Sequence, residues 1–270
     1  MLIGKKEFDI DNHTYIMGIL NVTPDSFSDG GCWNNLDVAL KHAEDMINDG
    51  ASIIDVGGES TRPGYTMISD AEEIDRVSDV IKGITSRFDV PVSIDTYKSG
   101  VAKAAIEAGA TIVNDIWGFK YDKNMAKVVA EANAWCVLMH NRKEAVYNSF
   151  VEDMLSDLKE SVKIAKAAGV SDDKIIIDPG VGVGFGKTLE NNLEAIKHVD
   201  RLVDMGYPVL LATSRKSVIG LTLDLPKDQR EEGTMATTVY GVLKGCAFVR
   251  VHDVKANKRV IDMTEAIMKI

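Results

Sequence analysis

Apolar positions along the chain gather into eight short runs rich in β-branched residues, at 15–20, 52–56, 92–95, 111–115, 135–139, 174–178, 209–212 and 248–251. Each run has the length and composition of a strand. Segments with helical spacing follow them at 37–49, 70–87, 98–108, 123–133, 149–168, 189–204, 231–244 and 256–269. The strand runs are nearly continuous in apolar residues, so both faces of the sheet must be buried, which is the signature of a parallel sheet covered by helices. Eight such units predict an α/β fold of the (β/α)8 TIM-barrel type, with residues 1–270 forming a single domain. A doubly wound open sheet is the alternative, and it is disfavoured because no glycine fingerprint follows the first run. The stretch 2–10, ahead of Asp11-Asn12, reads as a short extra strand or hairpin placed to plug the bottom of the barrel.

Composition narrows the function. The chain has 270 residues, 45% of them hydrophobic, enough for one large core. Charged residues make up 27% and the apolar runs are short, so no membrane span is expected. Charges at Lys5, Lys6 and Glu7 stand where a signal peptide needs an apolar stretch, which places the protein in the cytoplasm. A net charge of −10 without a basic stripe argues against nucleic acid. Cys32, Cys136 and Cys246 are odd in number and far apart, fitting neither a disulfide framework nor a metal knuckle.

Polar residues collect at the C-terminal ends of the strand runs. Asn21 follows the first, and Asp55 and Glu59 follow the second. Asp95 ends the third, Asn114-Asp115 the fourth, and Asp178 the sixth. His140 follows the fifth, Ser214-Arg215-Lys216 the seventh, and Arg250 and His252 close the eighth. In a barrel these ends converge on the face where active sites lie. Asp95, Asn114 and Asp178 together offer acceptors and a donor suited to the edge of a flat nitrogen heterocycle. Helix capping is the plain alternative for any one of them. Arg250 and His252 fall on one face of their strand because side chains alternate, and with Lys216 they suit a phosphate or pyrophosphate. The loops 18–31 and 57–64 are longer and richer in Gly, Pro and Asp than ordinary βα connections. The run from Asp178 to Thr188 ends in Gly-Lys-Thr, but it is not a P-loop. That motif needs a glycine separated by four residues from Gly186, and Val181 occupies that place.

Asn21-Val22-Thr23-Pro24-Asp25-Ser26-Phe27-Ser28-Asp29-Gly30-Gly31 and Gly57-Gly58-Glu59-Ser60-Thr61-Arg62-Pro63-Gly64 resemble the two signatures of the dihydropteroate synthase family. The short motifs at Asp95, Asn114, Met139-His140, Asp178-Pro179-Gly180, Ser214-Arg215-Lys216-Ser217 and Arg250-Val251-His252-Asp253 resemble the family in order, so the likeness runs from Tyr15 to Asp253. The resemblance implies condensation of 6-hydroxymethyl-7,8-dihydropterin pyrophosphate with p-aminobenzoate. It implies that Asp95, Asn114, Met139, Asp178, Lys216 and Arg250 hold the pterin, with Asp95, Lys216 and Arg250 taking part in the chemistry. Asn21, Arg62, Arg250 and His252 would bind pyrophosphate, and Asn21 would ligate magnesium (Mg2+). Thr61, Arg62, Pro63, Phe185, Lys216 and Ser217 would form the p-aminobenzoate side. A homodimer through the late helices is implied as well, and Val239, Val242 and Leu243 widen the apolar face of one of them. One departure is visible: the family loop runs Asp-Pro-Gly, one apolar residue, then Gly-Phe-Gly, whereas here Phe185 stands two residues later. That shift bears on the p-aminobenzoate pocket and on sensitivity to sulfonamides. Two other functions compete, a pterin-dependent methyltransferase domain and a pterin-binding paralogue without turnover.

Overall fold

The computed structural model describes residues 1–23, 32–59, 67–182 and 186–270. The chain opens with an antiparallel hairpin of β1 (Leu2–Ile3) and β2 (Lys6–Glu7). Eight parallel strands follow: β3 (Tyr15–Asn21), β4 (Ile53–Gly57), β5 (Val92–Asp95), β6 (Ile112–Asp115), β7 (Trp135–Met139), β8 (Ile175–Asp178), β9 (Leu210–Leu211) and β10 (Phe248–Val251). They lie side by side in the order β8-β7-β6-β5-β4-β3-β10-β9. A parallel bridge between Ile177 and Val209 joins the two ends and closes the barrel.

The helices that wrap it are α1 (Cys32–Asn48), α2 (Asp70–Arg87), α3 (Ser99–Glu107), α4 (Met125–Glu131), α5 (Phe150–Ala167), α6 (Leu189–Lys197), α7 (Asp200–Val203), α8 (Ser217–Leu223), α9 (Glu231–Leu243) and α10 (Val254–Met268). None of the described helices is long and apolar enough to cross a membrane. The single helix expected over 189–204 is broken at His198 and Val199 into α6 and α7. The seventh strand is shorter than the apolar run 209–212, and an unforeseen helix, α8, follows it.

Period-two alternation in the strands sorts the core into two shells. Ile16, Leu20, Ile54, Val56, Ile94, Val113, Leu138, Ile177 and Val249 point outward and pack against the helices. Met17, Ile53, Ile112, Val137, Ile176, Leu210 and Phe248 point inward at the lower end of the barrel, and Ile3 and Phe8 pack onto them. The hairpin therefore plugs the N-terminal end, as the sequence predicts. The Trp135 indole holds it there by donating to the Leu2 carbonyl at 3.1 Å. One step further along each strand, the inward positions become Asp55, Asp95, Asn114, Met139, Asp178 and Arg250; Asp95 is registered beside Asn114 and Met139 beside Asp178, while Asp55 lies one layer lower, beside Ser93. With the bottom sealed and dry, the mouth is the face of the barrel interior left for polar groups.

Phe8 is the keystone of the plug, fully buried and edge-on to Tyr15 at 4.9 Å and to Phe248 at 5.7 Å. Phe8→Ala is expected to cost about 3–5 kcal/mol of stability through lost burial and a cavity. Urea unfolding followed by circular dichroism checks this. A cost of less than about 1 kcal/mol would mean that the hairpin is not part of the cooperative core.

Candidate active site

Arg250 occupies the centre of the barrel mouth. Its Nε donates to Asp55 Oδ2 at 2.6 Å and its Nη2 to Asp95 Oδ2 at 2.6 Å. Asn114 reaches Asp55 Oδ2 with its amide at 3.4 Å. Asp55 is fully buried and Asp95 nearly so. Burial alone would lower the Arg250 pKa, but the two carboxylates outweigh it and hold the guanidinium above its usual range. Burial raises Asp95 to about 7, with Arg250 opposing the rise and Asp55 adding to it. Asp55 Oδ1, Asp95 Oδ1 and Ser93 Oγ are buried without a hydrogen-bond partner among the described residues. Such oxygens are rare in folded proteins unless a ligand supplies the donor.

Asp178 lies across the mouth, buried, with Oδ1 accepting from the Gly180 N–H at 2.6 Å. Burial pushes its carboxyl up, and Lys216 is the largest influence against that rise. Lys216 donates to the Val181 carbonyl at 2.6 Å. Its own pKa falls to about 8 through burial, with Asp178 opposing the fall. Lys216 enters the mouth because Arg215, just before it, adopts a left-handed backbone (φ 55°), an uncommon choice for a residue with a side chain. Groups from around α9 pin that turn. Thr234 Oγ1 accepts from the Arg215 N–H at 3.0 Å, Arg230 donates to the Arg215 carbonyl at 3.2 Å, and Glu231 pairs with the Arg215 guanidinium at 3.2 Å. Met139 closes the floor beside Tyr97 and Ile116.

The anion side lies next to this ring. His252 Nδ1 and Ser214 Oγ are 2.9 Å apart, and Ser214 Oγ also accepts from the His252 N–H at 3.1 Å. A cleft of about 880 Å3 opens there, with Asn21, Arg215 and His252 on its wall. The carboxylates around Arg250 do not line that cleft; it runs outward along α1, past Lys41 and His42. Ser217 begins α8 directly after Lys216.

The structure thus gathers Asp95, Asn114, Met139, Asp178, Lys216 and Arg250 in one mouth, with Asn21, His252 and Ser217 beside it. Thr61, Arg62, Pro63 and Phe185 lie outside the described residues. Three polar residues noted at the strand ends belong elsewhere. Asp115 faces outward and caps the next turn, accepting from the Trp117 and Phe119 N–H groups at 2.8 and 3.0 Å. His140 is buried behind β7, its Nε2 2.9 Å from Asp157. Burial lowers His140 to about 4, so it stands neutral at physiological pH. Glu59 is likewise structural, sharing Lys98 with Glu73 at 2.9 and 2.8 Å. Conversely, Asp55 is central and is not among the expected site residues. The alternation Ile53, Asp55, Gly57 already places it on the inner face, directly under the mouth.

A family model described as "Pterin binding enzyme" matches residues 17–252. A curated dihydropteroate synthase from Clostridium beijerinckii is 61% identical over 270 residues, covering 100% of both chains. The crystal structure of a dihydropteroate synthase from Clostridium difficile, determined in the presence of pteroic acid, superposes with a TM-score of 0.94 at 50% identity, covering 98% of this chain and 100% of that one. A dihydropteroate synthase from Xanthomonas albilineans with 4-aminobenzoic acid gives a TM-score of 0.91 at 37% identity, covering 96% of this chain and 94% of that one.

Replacing Arg250 by methionine leaves two buried carboxyl groups without their cation. A carboxyl raised in the folded state, as Asp95 is relative to about 3.9 unfolded, gives stability that is present below the unfolded value and lost as pH rises through the folded one. Removing the guanidinium deepens that loss. Arg250→Met is therefore expected to lie close to the parent protein near about pH 5 and to fall about 3–5 kcal/mol below it near about pH 8. Urea unfolding at both pH values measures the gap; an equal gap at the two would contradict the pairing.

Proposed function

The chain belongs to the dihydropteroate synthases of the pterin-binding enzyme family, and from that premise we propose how its own residues carry out the condensation. The family is a transferase of folate biosynthesis, so methyl transfer is set aside. The observation that carries the reading is the set of buried oxygens of Asp55, Ser93 and Asp95, without a hydrogen-bond partner among the described residues, around Arg250 at the barrel mouth. They match the N–H-rich edge of a pterin.

In this reading Asp95, Asn114 and Asp178 take the ring edges, Met139 packs beneath the ring, and Lys216 and Arg250 flank it. The donor is 6-hydroxymethyl-7,8-dihydropterin pyrophosphate, whose diphosphate points toward Arg250 and His252, with Arg62 joining from its loop. The methylene C–O bond breaks, pyrophosphate leaves with the bonding pair, and positive charge spreads into the pterin. The Asp95 carboxylate faces that charge from a fixed position, which is preorganised electrostatic stabilisation. The p-aminobenzoate amine then forms the C–N bond and loses one proton. Thr61, Arg62, Pro63, Phe185, Lys216 and Ser217 are the residues proposed to seat p-aminobenzoate, and sulfonamides would compete there.

Magnesium fits the donor set in one specific way. Among the described residues no group of three His, Cys, Asp or Glu side chains could cage a metal. Asn21 offers a single amide oxygen, Oδ1, over Gly57, whose missing side chain leaves the approach open; a Cβ there would lie 3.6 Å from it. Magnesium held by one protein oxygen together with substrate phosphates and water is its common mode. Bound there it would neutralise charge on the leaving diphosphate. We place the protein in the cytoplasm. We also propose a homodimer through α8 and α9, supported by Leu221, Leu223 and Leu243, which are half or more exposed, whereas Val242 is buried within the protomer.

Two measurements test the reading. Dihydropteroate should form from the two substrates with magnesium, and Arg250→Lys should lower the rate at least about tenfold, because a lysine cannot bridge two carboxylates as a guanidinium does. Pterin binding without any product would indicate a paralogue lacking turnover. Light scattering should give twice the 29.4 kDa chain mass. A monomer mass would remove the dimer.

A further inference from the structure

Lys187 is buried at the far end of the loop that follows β8. Its Nζ donates to the His140 carbonyl at 3.0 Å and lies 3.1 Å from where a Cβ on Gly180 would stand. Gly180 is left-handed (φ 69°), and a Cβ there would also come within 2.0 Å of the His140 oxygen, so the ammonium fits only against bare backbone. The Gly180 N–H donates to the Asp178 carboxylate at 2.6 Å, and the His140 N–H donates to the Asp178 carbonyl at 2.9 Å. Asp178, Gly180, Lys187 and His140 therefore form a closed ring of contacts, with a carboxylate at one corner and an ammonium at another.

A buried ammonium bonded to a neutral carbonyl needs a matching negative charge nearby. The carboxylates that face Lys187 are Asp178 and Asp157, and the cations around it are Lys216 and Arg142. Asp157 is already shared between His140 at 2.9 Å and Arg142 at 2.6 Å. Asp178 carries a single described hydrogen bond on its carboxylate, from a neutral N–H.

We propose that Lys187 is a positioning residue for pterin recognition, its charge holding the Asp178 side chain as a carboxylate ready to accept from the ring. The inference rests on reading Asp178 as a pterin acceptor. Burial lowers Lys187 to about 7, with Asp178 the largest influence against the fall, so the two charges support one another. Lys216 and Arg250 act on the same carboxylate, but they stand in the mouth, where substrate reaches them. Lys187 is buried away from the mouth, so while it is protonated its charge acts on Asp178 whether or not ligand is bound.

The test is calorimetric binding of 6-hydroxymethylpterin across about pH 5.5 to 9 to the parent protein, Lys187→Gln and Lys187→Arg. Glutamine keeps a donor for the His140 carbonyl and removes the charge. The acid limb of the Lys187→Gln profile should move up by about one pH unit, roughly a tenfold loss on the acid side, and merge with the parent at the alkaline end. Lys187→Arg should restore the limb. An unmoved limb, or a loss of equal size at every pH, overturns the inference and leaves the pterin site intact. A parent protein that binds no pterin overturns the reading of the site and the inference with it. If Lys187→Gln does not fold, the Asp178 carboxyl resonance of the parent protein, assigned with Asp178→Asn, should show a second inflection where Lys187 titrates. A single inflection overturns the inference.

Discussion

A guanidinium shared by two buried carboxylates organises this protein's mouth. Arg250 bonds Asp55 and Asp95 at 2.6 Å each, with Asp55 fully buried and the other two mostly so. Two acids so close repel unless a cation stands between them, and a cation so deep is expensive without them. The triad therefore fixes its own geometry. It also leaves one oxygen on each acid without a partner among the described residues. Those oxygens, with Asn114 beside them and Asp178 across the mouth, are what a hydrogen-bonding heterocycle can read.

The barrel makes this arrangement possible. Inward positions alternate along every strand, so each strand delivers one lower and one upper side chain to the interior. The lower ones are apolar and meet Ile3 and Phe8 of the hairpin, which closes that end. The upper ones, apart from Met139, are charged or amide-bearing, and with water excluded from below they act in a low-dielectric cup where electrostatic contacts are strong. Outward positions in the same strands do different work. Asp115 and His140 are as polar as their neighbours, yet they tie turns and helices together behind the sheet.

The architecture was legible in the sequence because burial on both faces imposes apolar runs of strand length, and all eight coincide with strands. Asp95, Asn114, Asp178 and Arg250 were legible for a related reason: polar residues ending apolar strands have few explanations other than a site. Asp55 sits inside a run and needed the inward register to be followed one step further. Asp115 and His140 show the limit of counting polar residues at strand ends, since a shift of one position reverses the face. The placement of Lys216 depends on a left-handed Arg215 held by Thr234, Arg230 and Glu231, contacts far apart in sequence that no local pattern announces. The same holds for Lys187, whose meaning comes from the His140 carbonyl on another strand end. The family resemblance supplied what geometry alone does not, the identity of the two substrates.

In the proposed function, the inward residues at the top of the barrel recognise a pterin. A crystal structure of the protein with 6-hydroxymethylpterin would show this. The ring should lie in the mouth with its polar edges within hydrogen-bonding distance of Asp95, Asn114 and Asp178, and with Arg250 against it. A ring bound instead in the outer cleft beside Lys41 and His42, or one leaving the Asp55 and Asp95 oxygens unpaired, would contradict the account.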